Sequence, residues 1–300
     1  MTDLPDPAYP VGGAGQDRVV PFGVRLATAM AAHGPLCAGI DPHPGLVHSW
    51  GLPYDLAGVE RFAMTCVEAF GGRVAAVKPQ SAFFEVFGAR GVDLLERVVA
   101  GLRAAGTLVI LDVKRGDIGT TMDAYADAFL GKDAPQPPDA ITVNPFLGYG
   151  SLRPAIDLAH ATGRGIFVLA LTSNPEGYAV QHAVLDGTSV AGHVVAGATA
   201  DNAQAAGRGE LGSVGLVVGA TVGDAVERLG LDLPGVHGPF LAPGVGAQGG
   251  TAQSLRRVFG AALPRVLAAS SREVLEAGPH AADLATRAQE TAARLREAMA

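Results

Sequence analysis

Cysteine is nearly missing from this 300-residue sequence: only Cys37 and Cys66 occur, and they form no C-x-x-C spacing. Two such thiols give neither the disulfide framework of a small secreted domain nor a cysteine-rich zinc site. Long apolar runs are missing too, since none reaches the roughly 18 residues of a membrane-spanning helix. Charged residues make up only 17% of the chain, with 22 basic against 29 acidic side chains and a net charge of −7. A nucleic-acid-binding protein normally carries a basic excess, so that class of partner is not expected. The eight histidines form neither H-x-H nor H-E-x-x-H, and no metal site is expected from them. The opening residues MTDLPDPAYP hold no basic stretch followed by an apolar one, which predicts a cytoplasmic protein without a membrane partner. The 41 glycines follow no three-residue period, so a collagen-like fibre is excluded.

What is present is a chain 48% hydrophobic, far too apolar for intrinsic disorder. Short apolar runs alternate with longer stretches rich in Ala, Leu, Arg and Glu. The runs are Leu36–Asp41, Arg73–Lys78, Thr107–Lys114, Asp139–Asn144, Gly165–Ser173, Val214–Ala220, Phe240–Gly244 and Arg265–Ser270. Near-continuous apolar runs are the mark of parallel strands covered on both faces. Helices are predicted between them, among others over Tyr54–Gly71, Val92–Gly106 and Leu152–Thr162. Successive strands start 25 to 37 residues apart, except for 49 between the fifth and sixth. Eight βα units of this spacing predict a (β/α)8 TIM barrel. An open doubly wound sheet is the alternative, although the first turn, Asp41-Pro-His-Pro-Gly45, lacks the glycine fingerprint of a dinucleotide site. Residues 1–16 read as a flexible tail and 17–300 as one barrel domain. Within it, an insertion around 176–212 reads as a lid or a longer helix, and Ala281–Met299 as a closing helix.

Chemistry in such a barrel belongs at the C-terminal strand ends. The first three strands end in Asp41, in Lys78, and in Asp112-Val-Lys114-Arg-Gly-Asp117. Alternation along a strand turns Asp112 and Lys114 to the same side, toward the mouth. A single charge at a strand end is most simply a solvated cap, but alternating carboxylates and ammoniums at consecutive ends keep one another ionised. A protonated lysine held beside a carboxylate is a proton donor placed where negative charge would develop. The seventh strand leads into Ala242-Pro-Gly-Val-Gly-Ala-Gln-Gly-Gly250, and the eighth into Ser270-Ser-Arg272. Glycine-rich backbone and a guanidinium after these two strands suit a phosphate, though glycines also serve tight turns.

Asp112-x-Lys114-x-x-Asp117, the Lys78 strand end and the Gln248-containing glycine loop together resemble orotidine 5′-phosphate decarboxylases. The chain length and Leu171-Thr-Ser-Asn-Pro175 are similar to the larger bacterial members. The resemblance implies decarboxylation of orotidine 5′-monophosphate to uridine 5′-monophosphate in de novo pyrimidine biosynthesis, without metal or organic cofactor. It implies a homodimer whose active site is shared across the interface. It further implies Lys114 as the proton donor to C6, Asp112 beside the substrate carboxylate, and Lys78 pairing with these acids and reaching the ribose. Asp41 would bind a ribose hydroxyl, Asp117 would be supplied across the dimer interface with Thr121 beside it, and Ser173 would read the pyrimidine edge. Gln248 and Arg272 would hold the phosphate. Gly119 stands where many members have proline. Two other readings share these residues: a Mg²⁺-dependent sugar-phosphate decarboxylase of the same superfamily, and a barrel that binds pyrimidine nucleotide without turnover. The first needs an acid where Lys78 stands.

Overall fold

A computed structural model describes residues 19–246 and 249–299. The tail expected at 1–16 and the phosphate-loop residue Gln248 lie outside the described residues. The eight apolar runs form β1 (Leu36–Ile40), β2 (Ala76–Pro79), β3 (Leu108–Arg115) and β4 (Ala140–Val143), then β5 (Gly165–Leu171), β6 (Val214–Val218), β7 (Phe240–Ala242) and β8 (Val266–Ser270). Each strand pairs in parallel with its neighbours in sequence, and β8 returns to β1, so the sheet closes and the open-sheet alternative is overturned. The result is a (β/α)8 barrel.

Both faces of each strand are buried, which is why the runs show no polar alternation. On β1, Cys37 points into the barrel while Leu36, Ala38 and Ile40 pack outward against helices. The interior is filled by Ile110, Phe167, Val217, Leu241, Leu267 and Ala269 among others. Helix Phe22–His33 precedes β1 and closes the N-terminal end, adding Phe22 and Leu26 to that interior cluster. The Phe22 ring meets Phe167 edge-on at 6.0 Å. Arg25 of the same helix pairs with the buried Asp139 carboxylate and donates to the Gly163 carbonyl at 3.0 Å. Asp139 also accepts the Val109 N–H at 3.0 Å, which ties β3, β4 and the closing helix together.

The predicted helices form with shifted ends, at Leu56–Phe70, Ala89–Ala104 and Arg153–Thr162. Asp55 caps the first by accepting from Gly58 N at 2.8 Å, as an aspartate before an apolar run should. The long stretch after β5 divides into a short turn and helix over residues 175–181, a hairpin of Val184–Leu185 with Thr188–Ser189, and the 18-residue helix Val190–Gly207. That helix is the ordinary crossover to β6, so the additional material is the piece before it. Ala281–Met299 forms the terminal helix and packs against Leu56–Phe70. No described helix is long and apolar enough to cross a membrane.

Candidate active site

Four charged groups meet at the C-terminal rim of β1 to β3. The Lys78 Nζ lies 3.0 Å from Asp112 Oδ2 and 3.6 Å from Asp41 Oδ1, and donates to Gln80 Oε1 at 3.2 Å. The Lys114 Nζ lies 2.6 Å from Asp112 Oδ1. The order is therefore Asp41, Lys78, Asp112, Lys114, with charges alternating. Lys78 and Asp112 are each only 7% exposed. Burial pushes the Asp112 carboxyl up, but the Lys78 and Lys114 ammoniums and the Thr142 hydroxyl outweigh it and hold the group at about 2. Burial likewise pushes the Lys78 ammonium down, and Asp41 and Asp112 more than offset this, so it stays protonated far into alkali. Burying charges is costly, and an alternating chain of opposite charges is the arrangement that offsets the cost. The neighbouring Cys37 thiol is pushed by burial up to about 12, so it is no nucleophile.

β3 does not deliver Lys114 by plain alternation. Its pairing with β4 jumps from Leu111–Ile141 to Arg115–Val143, and Lys114 takes a left-handed φ of +45°. Such backbone is strained for a residue with a side chain and persists only when its surroundings hold it. The Lys114 N–H donates to Thr142 Oγ1 at 2.9 Å, and that hydroxyl donates to Asp112 Oδ1 at 2.8 Å. On the far side, Arg115 is held by Glu85 at 2.8 Å.

These groups line one wall of a cavity of about 1100 Å³ in the barrel mouth. Pro243, Gly244 and Val245 after β7 and Ser271 and Arg272 after β8 line the same cavity, Ser271 lying against Gly39 of β1. Leu169, Val217, Leu241 and Ala269 make an apolar floor. The loop after β7 is folded on itself, with Gly250 N donating to the Gly244 carbonyl and Gly246 N to the Gly250 carbonyl, both at 2.9 Å. It leads into helix Ala252–Phe259, capped by Thr251. The cavity thus combines an alternating run of fixed charges, an apolar floor and a guanidinium.

Asp41, Lys78, Asp112, Lys114 and Arg272 line the cavity together; Asp117, Thr121 and Ser173 do not. Ser173 departs for a definite reason. Pairing between β5 and β6 shifts between Leu169 and Leu171, so Leu171 joins the outer core and the alternation that turned Ser173 inward is broken. Thr172 and Asn174 line the cavity instead, the Thr172 hydroxyl donating to Asn174 Oδ1 at 2.6 Å, while Gln181 Oε1 accepts from Thr172 N at 2.8 Å. Asp117 accepts the Ile118 N–H at 2.8 Å, and Thr121 is exposed on helix Gly119–Leu130. Gly119 has φ +53°, a conformation closed to proline, so the proline of other members has no place in this backbone. Gln80, Thr142 and Gln181 escaped the reading of the sequence. Thr142 was within reach, since it sits two residues beyond the inward Ala140 on β4. Among the described residues, no three His, Cys, Asp or Glu side chains are grouped to hold a metal.

Residues 34–286 match the sequence model of the orotidine 5′-phosphate decarboxylase / HUMPS family. The chain is 58% identical over 280 residues to the orotidine 5′-phosphate decarboxylase of Streptomyces coelicolor, covering 93% of this chain and 98% of that one. Identity to the enzyme of the same name from Salinispora arenicola is also 58%, with the same coverage. Among solved structures, a Streptomyces avermitilis protein at 56% identity superposes with a TM-score of 0.88, covering 93% of this chain and 96% of that one. Leishmania donovani OMP decarboxylase, at 30% identity, gives 0.70 over 91% and 97%.

Proposed function

Because this chain belongs to the orotidine 5′-phosphate decarboxylase family and converts orotidine 5′-monophosphate to uridine 5′-monophosphate in pyrimidine biosynthesis, we propose that Lys114 protonates C6 as carbon dioxide departs. The observation that supports this reading is the Lys114 ammonium, 2.6 Å from a carboxylate whose other oxygen is 3.0 Å from Lys78. In the reaction the bond from C6 to the carboxylate carbon breaks, and its electron pair stays on C6. The ring offers that pair no conjugated acceptor, so the protein has to stabilise it where it forms. Two fixed ammoniums in a partly dry site do so without reorganising, which is the most effective form of electrostatic catalysis. One proton then passes from Lys114 to C6.

Asp112 stands beside the departing carboxylate, Asp41 and Lys78 serve the ribose, and Arg272 with Gln248 serves the phosphate. Contacts to the phosphate, remote from C6, supply binding energy that orients the reacting carbon. The pyrimidine edge falls to the Thr172–Asn174 stretch, in which Thr172 and Asn174 line the cavity and Ser173 is exposed. No organic cofactor and no metal take part, because Lys78 occupies the strand end at which the sugar-phosphate decarboxylases place an acid. Loss of substrate absorbance in enzyme dialysed against EDTA should run at the undialysed rate. A rate restored only by added Mg²⁺ would favour the metal-dependent reading, and nucleotide binding without turnover would favour the non-catalytic one.

The working unit is a homodimer, with Asp117 and Thr121 of each subunit completing the other's site. Both residues avoid their own cavity and stand beside Ile118, which is 61% exposed, and near the adjacent strand end bearing Phe146, 73% exposed. Apolar residues so exposed at a rim suit a contact with a second copy. Inactive Lys114→Ala and Asp117→Ala subunits, unfolded together and refolded as a mixture, should recover about a quarter of wild-type activity, because half the dimers then hold one intact site of two. No recovery in a mixture shown to contain mixed dimers would refute the shared site. The charge balance and the scarcity of cysteine support a cytoplasmic enzyme.

A further inference from the structure

We propose that Thr142 is a positioning residue of the decarboxylation, its hydroxyl setting the Lys114 backbone and the Asp112 carboxylate in register with each other. A threonine hydroxyl has one hydrogen to give and two lone pairs to accept with. Here the hydrogen goes to Asp112 Oδ1 at 2.8 Å, and a lone pair takes the Lys114 N–H at 2.9 Å. Thr142 is 1% exposed, so water does not substitute for either bond.

The position matters because β3 leaves its ladder at this point. On β3 the two pairings lie four positions apart, at Leu111 and Arg115, while on β4 they lie only two apart, at Ile141 and Val143. The Lys114 N–H therefore meets no backbone carbonyl across the strands, and the Thr142 side chain takes that carbonyl's place. Without it a part-buried donor would lose its partner in a residue already strained at φ +45°. The same oxygen fixes the Asp112 rotamer. Oδ1 is then shared by Lys114 and Thr142, while Oδ2 faces Lys78 at 3.0 Å. Substrate makes no demand on Thr142 in this scheme. Its effect reaches C6 through Lys114, and misplacing a proton donor by a fraction of an ångström is enough to slow the step.

This inference rests on Lys114 and Asp112 being the reacting groups. Thr142→Val keeps the shape and removes both hydrogen bonds; Thr142→Ser keeps the bonds and removes a methyl group. The valine variant should lose about tenfold or more in kcat with KM within about threefold, and serine should restore most of kcat. A merely structural role would instead lower the amount of folded enzyme and leave kcat per active site unchanged, so active sites are titrated with a tight-binding uridine nucleotide. If valine does not yield folded enzyme, Thr142→Ala is measured in the same way and the same split is expected. Valine or alanine with wild-type kcat, or serine as slow as valine, overturns the proposal. Lys114→Ala is run beside them. If that variant is inactive while Thr142→Val is fully active, only the positioning role fails. If Lys114→Ala is itself active, the reading beneath it fails.

Discussion

Lys114→Ala is expected to lower kcat by roughly 10³-fold or more while uridine 5′-monophosphate still binds. Two losses coincide in that variant. The proton source for C6 disappears, and so does one of two ammoniums that face the developing carbanion. The remaining fold has little reason to change. The Lys114 side chain is 45% exposed, so removing it opens no core cavity, and the Thr142 hydroxyl still accepts the backbone N–H at position 114. Product binding should stay near its wild-type value, since Arg272, the loop after β7 and the cavity floor are untouched. Binding is read by the rise in melting temperature with added product, and turnover by absorbance. Full activity in this variant would remove Lys114 from the chemistry.

The parts of this site that could be read directly from the chain are those that depend on strand ends. Asp41, Lys78 and Asp112 follow from counting βα units and asking which charges close each run. The barrel itself follows from eight apolar runs whose both faces are covered. What could not be read depends on departures from ladder geometry. Lys114 stands at the mouth as alternation along β3 suggested, but it gets there through a shifted pairing and a left-handed residue that no residue type announces. Ser173 was placed inward by the alternation of Phe167, Leu169 and Leu171, and the shift after Leu169 turns the next residues over. Thr142 looked like one more β-branched strand residue. Its role depends on where its neighbour's N–H points, and that is set by β3, not by its own segment.

Asp112→Asn should cost roughly 10²- to 10³-fold in kcat and also change how stability depends on pH. Three donors converge on this carboxylate: Lys114 and Thr142 on Oδ1, Lys78 on Oδ2. An asparagine offers a single oxygen, and its NH₂ group would face a donor, so at least one buried cation loses its partner. The carboxyl sits at about 2 in the folded chain, below its ordinary 3.8. Between those values the unfolded chain binds more protons than the folded one, so Asp112 stabilises the fold above about pH 4 and loses that contribution as the pH falls toward 2. The contribution is about 2 kcal/mol. Lys78 has the opposite sign, since its ammonium is stabilised on folding and its contribution is complete through neutral pH, lost only in strong alkali. Chemical unfolding between pH 5 and 2.5 should therefore show wild type losing stability that Asp112→Asn has already lost, so that the two curves converge. Parallel curves would mean that the carboxylate is not held by its lysines.

The helix Phe22–His33 gives the barrel a closed end, with the Phe22 ring set against Phe167 and no exposed atom at either residue. Traffic through the enzyme is therefore a cul-de-sac. Nucleotide, carbon dioxide and the water that re-wets the charges all share the mouth of the barrel, which the segment after β5 and the loops after β7 and β8 help to line. A product that has not left blocks the next substrate outright, so uridine 5′-monophosphate must compete with orotidine 5′-monophosphate for free enzyme. Turnover in such a vessel depends on product leaving by the way substrate came in, past Thr172, Asn174 and Gln181 of the segment after β5.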